Sequence, residues 1–468
     1  MVEVDSKDSR QGIYPGEEPM ESVTEKVAEF VSGFEGENLP PEAIHKSKRA
    51  VLDCLGVALA GCQEPVSQIL RESVTETHSK GEASIWGTKD KVCSMDAALV
   101  NGAMSHALDY DDINRHCLGH PSAILVPTVF AVAERIRSSG RKLLEGYIVG
   151  LEVMAKLGEI FTVEAYEKSW HPTSVVGVMG ASASASYLLR LSAEQTANAL
   201  GIAASEASGI KKNFGTMVKP FHAGSAARKG IWAALLARNG LVANAQALDG
   251  KFGFFEMFKG SGPYDLKPLE GLGRSLEITS AGLVVKQYPC CGGLHSALDA
   301  LMEIRQKGNI RPEEVEEVEC KVDPRRIAYL NRPEIRSGLE AKFSYQYCMA
   351  TGLLEGRIGL SHFPEEVVVR PEVRSLMGRV RLIPGEGFGF ASEVTIRTSD
   401  KKVFSKTMPE AKGSPTFPLT EAEVLQKFLD CTSHLLNKDQ AKRAAETIMN
   451  LEQETSPGRI LELLQREP

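Results

Sequence analysis

Helical periodicity runs almost without interruption through residues 22–241, and several of the predicted helices consist largely of Ala, Gly and Ser. Apolar residues recur at three- and four-residue steps in the segments that start at Val23 and Ala43. Two other segments, 179–187 and 199–209, are rich in small side chains, which let helix backbones approach closely inside a protein. Strand signals are scarce over the same stretch. The pattern therefore predicts a large all-helical body.

The sequence changes character after this body. Segment 276–288 is predicted to be extended, and a helix is predicted at 294–306. In four further segments β-branched residues alternate with polar ones, which predicts strands at 314–322, 379–383, 392–398 and 402–407. A linker rich in Pro, Gly and Ser at 409–418 leads to more helices, the first marked by the capping-box pair Thr420 and Glu423. We therefore expect a mainly α fold with a second, smaller α+β domain.

Length and charge limit what this protein can be. A chain of 468 residues exceeds the size of a single core, so at least two domains are expected. The net charge of -7 and the absence of a long basic run argue against a nucleic-acid partner. The longest apolar run, 123–133, is too short to span a membrane, and residues 1–21 are too polar and acidic for a secretion signal. We expect no membrane association.

The nine cysteines show no paired C-x-x-C spacing. This pattern favours reduced thiols and a cytoplasmic location, and it argues against a sequence-local iron–sulfur cluster. No glycine-rich segment has the strand–loop–helix setting of a nucleotide-binding loop. We therefore predict that the protein uses no cofactor.

Titratable residues are concentrated in segment 106–120, which carries three carboxylates and three imidazoles. Asp109 is the best functional candidate, because a carboxylate next to a histidine orients it and raises its pKa. Asp111 and Asp112 are interpreted as structural, for example as loop caps. Clustered carboxylates also suit hard cations, but the spacing matches neither a calcium loop nor HExxH, so no metal is predicted.

Three further residues are candidates for acid, base or charge stabilisation. His120 and His171 each precede a proline, which fixes the local backbone, and imidazoles titrate near working pH. Lys219 lies between the turn signal at 215–216 and a Pro-Phe-His-Ala-Gly segment, from which an ammonium can reach a cavity. The alternatives are histidines with purely structural hydrogen bonds and a solvated surface lysine.

Read together, these segments resemble the MmgE/PrpD family over residues 22–464. The motifs that carry the resemblance are Asp109-Tyr-Asp-Asp with His120-Pro-Ser, Trp-His171-Pro-Thr-Ser, Lys219-Pro-Phe-His-Ala-Gly, Lys286-Gln-Tyr-Pro-Cys with His295, and Lys342-Phe-Ser-Tyr-Gln-Tyr347. The family includes 2-methylcitrate dehydratase, cis-aconitate decarboxylase and iminodisuccinate epimerase. Its members act on small polycarboxylates without a bound redox cofactor.

The resemblance implies an architecture. It predicts a helical domain formed by both chain ends, 22–272 and 418–468, and an α+β lid domain at 273–417, after a flexible lead at 1–21. It also predicts a homodimer with active sites between the domains.

The same resemblance assigns the site residues. The acid/base histidines would be His120 and His171, the active-site lysine Lys219 and the tyrosine Tyr347, with Asp109 as the leading carboxylate. Lys286 and His295 would lie on the lid side and bind substrate carboxylates.

The expected function is that of a metal-independent lyase acting on a small di- or tricarboxylic acid, with dehydration placed ahead of decarboxylation. Removing a proton or carbon dioxide beside a carboxylate builds negative charge, which preplaced cations stabilise. Many family members have Thr where this chain has Ile113. The hydroxyl of that Thr can form a hydrogen bond to the substrate, so its loss is expected to change the choice of substrate. A dicarboxylate epimerase is the first alternative, and a non-catalytic helical dimer is the second.

Overall fold

The structure is a computed structural model that describes residues 22–465, so the lead predicted at 1–21 lies outside the described residues. Helices predominate before residue 273, with one small hairpin. The bounds are α1 Val23–Ser32, α2 Pro41–Gly61, α3 Pro65–Thr75, β1 Ala83–Ser84, β2 Lys91–Val92, α4 Ser94–His106, α5 Ser122–Ile136, α6 Gly140–Glu167, α7 Pro172–Leu188, α8 Ala193–Glu206, α9 Val218–Arg238 and α10 Phe254–Lys259.

A mixed region follows, and helices close the chain. The bounds are α11 His295–Gly308, β3 Val315–Val322, α12 Pro324–Leu330, α13 Gly338–Ala341, α14 Tyr345–Glu355, α15 Glu365–Val368, α16 Pro371–Met377, β4 Val380–Pro384, β5 Ser392–Thr398, β6 Val403–Met408, α17 Glu421–Thr432, α18 Lys438–Ile448 and α19 Gly458–Leu463. Short 3₁₀ turns lie at Gly36–Asn38, Lys211–Asn213, Lys267–Gly271, Gly292–Leu294, Pro312–Glu314, Leu360–His362 and Leu451–Gln453. The mainly α fold with a small α+β region is confirmed.

Two large hydrophobic cores are present in the described part of the chain. One joins apolar side chains of the helices before residue 279 with those of α17, α18 and α19. The other lies between residues 288 and 396, where α11 packs on the sheet. The sheet has the order β4-β3-β5-β6, in which β3 and β4 are parallel and the other pairs are antiparallel.

Small residues bring the helices of the body into close contact, as predicted. Gly102 of α4 and Gly224 of α9 face each other, and a Cβ atom built on Gly224 would lie 2.0 Å from the carbonyl oxygen of Leu99. Only glycine fits both positions, because any side chain would enter the facing backbone. This crossing fixes the first turns of α9 relative to the end of α4.

One element prediction was wrong. Segment 276–288 was predicted to be extended, but residues 277–281 form turns and only Val284 makes a strand-like bridge, with Ile113. The hydroxyls of Thr279 and Ser280 donate to the carbonyl of Leu276, which favours a turn over a sheet ladder. Within residues 22–465, no helix has the length and apolarity needed to cross a bilayer.

Candidate active site

Asp109 forms the centre of a buried charge cluster. It follows the end of α4 and has a left-handed backbone with φ of 53°. Its Oδ1 lies 2.5 Å from Nζ of Lys219, and its Oδ2 lies 3.1 Å from Nζ of Lys286. Lys286 also donates to the backbone carbonyl of Asp109 at 2.6 Å. The structure therefore brings together three of the predicted residues, with the ammonium groups of Lys219 and Lys286 on either oxygen of the Asp109 carboxylate.

The two ammonium groups keep this carboxylate ionised. Burial by itself raises the pKa of Asp109, but the charges of Lys219 and Lys286 hold it below its ordinary value. Burial would lower the pKa of Lys286, and the charges of Asp109 and Asp111 raise it instead. The trio carries a net positive charge in an interior position, which suits the binding of an anion.

Asp111, and not Asp109, contacts the imidazoles. Its Oδ2 lies 2.8 Å from Nδ1 of His106 and 3.2 Å from Nδ1 of His120. The prediction that Asp109 orients a histidine was therefore wrong, because the left-handed turn directs its carboxylate to the lysines. Asp111, interpreted from sequence as structural, makes a hydrogen bond to His106 and a close contact to His120 through the same oxygen.

Four histidines form a continuous group. The rings of His106 and His120 have centroids 4.5 Å apart, and His106 stacks on His171 at 6.1 Å. His171 in turn contacts His222, with 3.1 Å between their Nδ1 atoms. The predicted pair His120 and His171 thus flanks His106, which the sequence interpretation did not single out although it lies in the same motif.

Burial keeps these imidazoles neutral in the free protein at neutral pH. It lowers the pKa of His106 to about 4 and that of His222 to about 4. Burial also lowers the pKa of His171, with a further contribution from Lys219, and burial lowers the pKa of His120 against the opposing charge of Asp111. Neutral rings accept protons, so each of them is a potential base.

Asp112 lies behind the cluster and contacts no histidine. It accepts hydrogen bonds from the backbone N–H of Ser122 at 3.2 Å and from the Ser122 hydroxyl, which also pairs with Tyr147 at 2.7 Å. Burial raises the pKa of Asp112 to about 7, and the nearby charges of Asp53 and Asp111 add to this effect. Its contacts cap the start of α5, in agreement with the structural interpretation.

Two predicted residues are not brought into the cluster. The hydroxyl of the fully buried Tyr347 donates to the backbone carbonyl of His362, and its ring packs against Phe363. His295 contacts the carbonyl of Cys290 through Nε2 at 3.2 Å and packs edge-on against Tyr288. Tyr347 belongs to the second core and His295 packs against Tyr288 of the same core, so the roles predicted for these two residues stay predictions.

Residues of the second hydrophobic region supply other cations that the sequence interpretation missed. Lys342, buried in a motif that was quoted only for its tyrosine, donates to the carbonyls of Leu108 at 2.8 Å and Pro289 at 2.9 Å. Burial lowers its pKa to about 8. The guanidinium of the half-buried Arg332 lies 5.7 Å from the centroid of the Phe343 ring, and Nζ of Lys219 lies 5.5 Å from the same centroid.

Three helices begin at this cluster. α5 starts two residues after His120, α7 has His171 as its N-cap, and α9 carries Lys219 and His222 in its first turns. The N-terminal end of a helix carries partial positive charge from its free N–H groups. Backbone dipoles thus add to the lysine charges, and the arrangement favours a ligand with several carboxylates.

The side chain of Ile113 lies beside this cluster. Its Cδ1 is 2.4 Å from the position that a Cβ on Gly292 would take, and the Cε of Lys286 lies 4.0 Å from the same position. A threonine at residue 113 would place its hydroxyl on this wall, so the substitution changes the polarity next to Lys286.

Four side chains of the cluster are of types that ligate metals. Ligand atoms of His106, Asp109, Asp111 and His120 lie within 4.8 Å of one another. Two ammonium groups already contact Asp109, and Oδ2 of Asp111 contacts both rings, whereas Oδ1 of Asp111 and Nε2 of His106 have no hydrogen-bond partner among the described residues. The ammonium groups occupy the positions around Asp109 that a cation would need, so metal-free chemistry stays our prediction.

Comparison with known proteins gives matches along most of the chain. Residues 25–267 match the model of the MmgE/PrpD N-terminal domain, and residues 288–453 match that of the MmgE/PrpD C-terminal domain. A human cis-aconitate decarboxylase is 31% identical over 92% of this chain and 92% of its own length, and a mouse cis-aconitate decarboxylase is 32% identical over 92% and 91%. A 2-methylcitrate dehydratase from Cupriavidus necator is 23% identical over 79% and 81%.

Proposed function

Since this chain belongs to the MmgE/PrpD family and is a lyase of that family, we propose that it decarboxylates an unsaturated tricarboxylate such as cis-aconitate. The observation that carries the proposal is the Lys219–Asp109–Lys286 trio beside neutral, buried imidazoles. Similarity to decarboxylases covers more of the chain, at higher identity, than similarity to the bacterial dehydratase. This reverses the order of the two reactions expected from sequence.

Substrate binding relies on charge. Two carboxylates of a tricarboxylate contact the ammonium groups of Lys219 and Lys286, and the N-terminal ends of α5, α7 and α9 add positive potential. Arg332 is suited to a third carboxylate, because its guanidinium and Nζ of Lys219 lie 5.7 Å and 5.5 Å from the centroid of the same Phe343 ring. A neutral ester of the substrate is therefore expected to bind poorly.

The reaction needs charge stabilisation and one proton. When the carbon–carbon bond to the departing carboxylate breaks, its electron pair stays on the substrate and spreads over the adjacent double bond and carboxylate. Lys219 and Lys286 offset this charge. The negative charges of bound substrate raise the pKa values of His120 and His171, so that one ring takes up a proton from solvent and delivers it to carbon. Carbon dioxide and a dicarboxylate are the products.

The test is NMR of the chelator-treated protein in deuterated buffer with cis-aconitate, citrate and 2-methylcitrate. We expect carbon dioxide release from cis-aconitate with one deuterium in the product. His171→Ala and Lys219→Met are each expected to lose about 10²–10⁴-fold in rate. The exposed residues His45 and Lys212 supply the controls His45→Ala and Lys212→Met.

Each other outcome contradicts the proposal in a distinct way. Loss of water from citrate or 2-methylcitrate alone would show a dehydratase, and deuterium exchange without elimination would show an epimerase. Full activity in His171→Ala and Lys219→Met would remove these residues from the mechanism. Loss of activity on chelation, restored by a divalent cation, would assign a metal to the four ligand-type side chains.

We also propose that the protein forms a homodimer in the cytoplasm. All nine cysteines are free thiols, which supports a reducing compartment. The outer side of α9 exposes Val218, Phe221 and Trp232, at 37%, 36% and 44% of their surface. A second copy is the simplest partner for an apolar face on a helix that carries site residues at its start.

Sedimentation velocity tests the dimer. Wild type and the control Met257→Asp, at a residue exposed on another part of the surface, are expected to sediment as dimers. Trp232→Asp is expected to dissociate at micromolar concentration, because a buried charge opposes association. A monomeric wild type, or a Trp232→Asp variant that associates normally, would reject this interface.

A further inference from the structure

The three helices that begin at the candidate active site end together on the opposite side of the body. α5, α7 and α9 pack against one another and contain 15, 17 and 21 residues. At a rise of about 1.5 Å per residue, their ends lie roughly 20–30 Å from the cluster. Each ends close to an arginine: Arg137 directly follows α5, Arg190 lies two residues after the end of α7, and Arg238 is the last residue of α9.

These arginines line an open cavity of about 780 Å³. Among the described residues that form its wall there is no aspartate or glutamate, although the whole chain is acidic. Lys142, the fourth cation of the wall, is bound to Glu145 at 2.7 Å and to the Tyr187 hydroxyl at 3.2 Å. Among residues 22–465, no acidic side chain lies within ion-pair distance of Arg137, Arg190 or Arg238.

The rest of the wall combines polar and apolar groups. The hydroxyls of Ser138 and Ser139 lie where α6 begins, and Ser139 is the N-cap of that helix. The apolar part of the wall is formed by the side chains of Val31, Phe34, Ile136, Leu188, Leu189 and Leu191 and by the ring of Tyr187. Such a cavity accommodates a molecule that has both a highly charged end and a flat, less polar end.

We propose that this cavity is a regulatory binding site for an organic polyphosphate of the nucleoside di- or triphosphate class. Guanidinium groups bind phosphate oxygens in pairs, and three of them match the charge of two or three linked phosphates. The start of α6 adds N–H donors, and Phe34 and Tyr187 offer aromatic surface to a base. The carbonyl ends of α5, α7 and α9 disfavour anions by themselves, so the arginines are essential to the site.

A ligand in this cavity contacts the far ends of the helices that position the candidate active site. Helices are stiff, and these three pack tightly through small residues. When a bound ligand draws their C-terminal ends together, the movement therefore reaches His171 and Lys219 at the N-terminal ends of α7 and α9. Binding itself does not depend on the proposed decarboxylation. A failure of this inference is therefore distinguishable from a failure of the proposed function.

Calorimetry on the full chain with ADP, inorganic pyrophosphate, adenosine and citrate tests the site. ADP and pyrophosphate are expected to bind, and Arg190→Gln and Arg238→Gln are each expected to weaken binding by about 10–100-fold, the value of one charged hydrogen bond. Arg274→Gln, at an exposed arginine away from the cavity, is the control and is expected to bind as wild type does. If the circular dichroism of Arg190→Gln or Arg238→Gln shows misfolding, Arg137→Gln is measured in place of that variant.

Four results would overturn the inference. Absence of ADP and pyrophosphate binding at millimolar concentration would remove the site. Equal binding by wild type and the arginine variants, or equal affinity for adenosine and ADP, would show that the cavity does not recognise phosphate. Unchanged hydrogen exchange in the first turns of α7 and α9 when ADP is bound would reject regulation through the helices.

Discussion

At the scale of single residues, Asp112 has the clearest effect on stability. Its pKa is raised to about 7 in the folded protein, whereas an unfolded chain gives an aspartate its ordinary value near 4. Between about pH 4 and 7 the folded state therefore holds a proton that the unfolded state has lost. This contribution to stability decreases as the pH rises over that range and is gone above about pH 7. Above that pH a buried charge remains with no cation bonded to it.

Asp112→Asn is expected to stabilise the protein, and the gain depends on pH. The amide keeps the bonds to Ser122 and carries no charge, so the difference in unfolding free energy from wild type grows by about 1.4 kcal/mol per pH unit between about pH 4 and 7 and is constant above. Urea unfolding at several pH values measures it. Asp430→Asn, at an exposed site, is the control for the removal of a carboxylate charge. A difference independent of pH would contradict the raised pKa.

Sequence patterns predicted residue types at the site better than their partners. The motif at 106–120 identified Asp109 and His120, and the X-His-Pro context identified His171. Sequence could not show which carboxylate meets which ring, because that depends on the left-handed backbone at Asp109. His106 and Lys342 lay inside quoted motifs, but only packing reveals their contacts.

At the scale of elements, the crossing of α4 and α9 determines where Lys219 and His222 lie. Gly224→Ala is expected to destabilise the protein by about 1–3 kcal/mol, since its methyl group would overlap the backbone of α4. It is also expected to lower activity by moving the first turns of α9. Gly378→Ala, where the added methyl group has ordinary contacts, is the control, and thermal denaturation with activity assays measures both variants. Unchanged stability in Gly224→Ala would show that the helices separate easily.

Element boundaries followed local chemistry closely. The capping box at Thr420 and Glu423 starts α17 as predicted, and the strands predicted from alternating β-branched residues lie within one residue of β3, β4, β5 and β6. The failure at 276–288 arose where hydroxyl side chains bond to the backbone and where Glu277 accepts a hydrogen bond from Asn114 at 2.6 Å. Local patterns do not register such long-range contacts.

At the scale of the whole molecule, the charge cluster joins the two cores. We propose that 22–272 with 418–468 and 273–417 are the two domains. The separation of the cores supports a division into two, but Leu276 and Ile278 pack in the first core, so the core boundary lies nearer residue 288. Lys286 and Lys342, both from the second segment, hold the carbonyls of Asp109 and Leu108. The conformation of Asp109 is therefore coupled to the position of the segment that carries Lys286 and Lys342.

Lys342→Met is expected to loosen this junction. Loss of the two carbonyl bonds leaves Leu108 and Pro289 unpaired, so amide hydrogen exchange in 107–114 and 286–291 should become several-fold faster, with 23–61 unaffected. Lys307→Met, at an exposed lysine, is the control for loss of a charge. Exchange equal to wild type in both segments would show that Lys342 does not connect the domains.

The separation of these contacts along the chain has a consequence for biosynthesis. Lys286 lies 177 residues after Asp109, and Lys427 of α17 donates to the carbonyl of Tyr110 across 317 residues. The loop at 109–112 therefore leaves the ribosome long before any of these lysines exists. During translation Asp109 has no counter-ion until Lys219 and Lys286 have been made, and the carbonyl of Tyr110 gains its lysine donor only after α17 has emerged, so this part of the protein reaches its final form late.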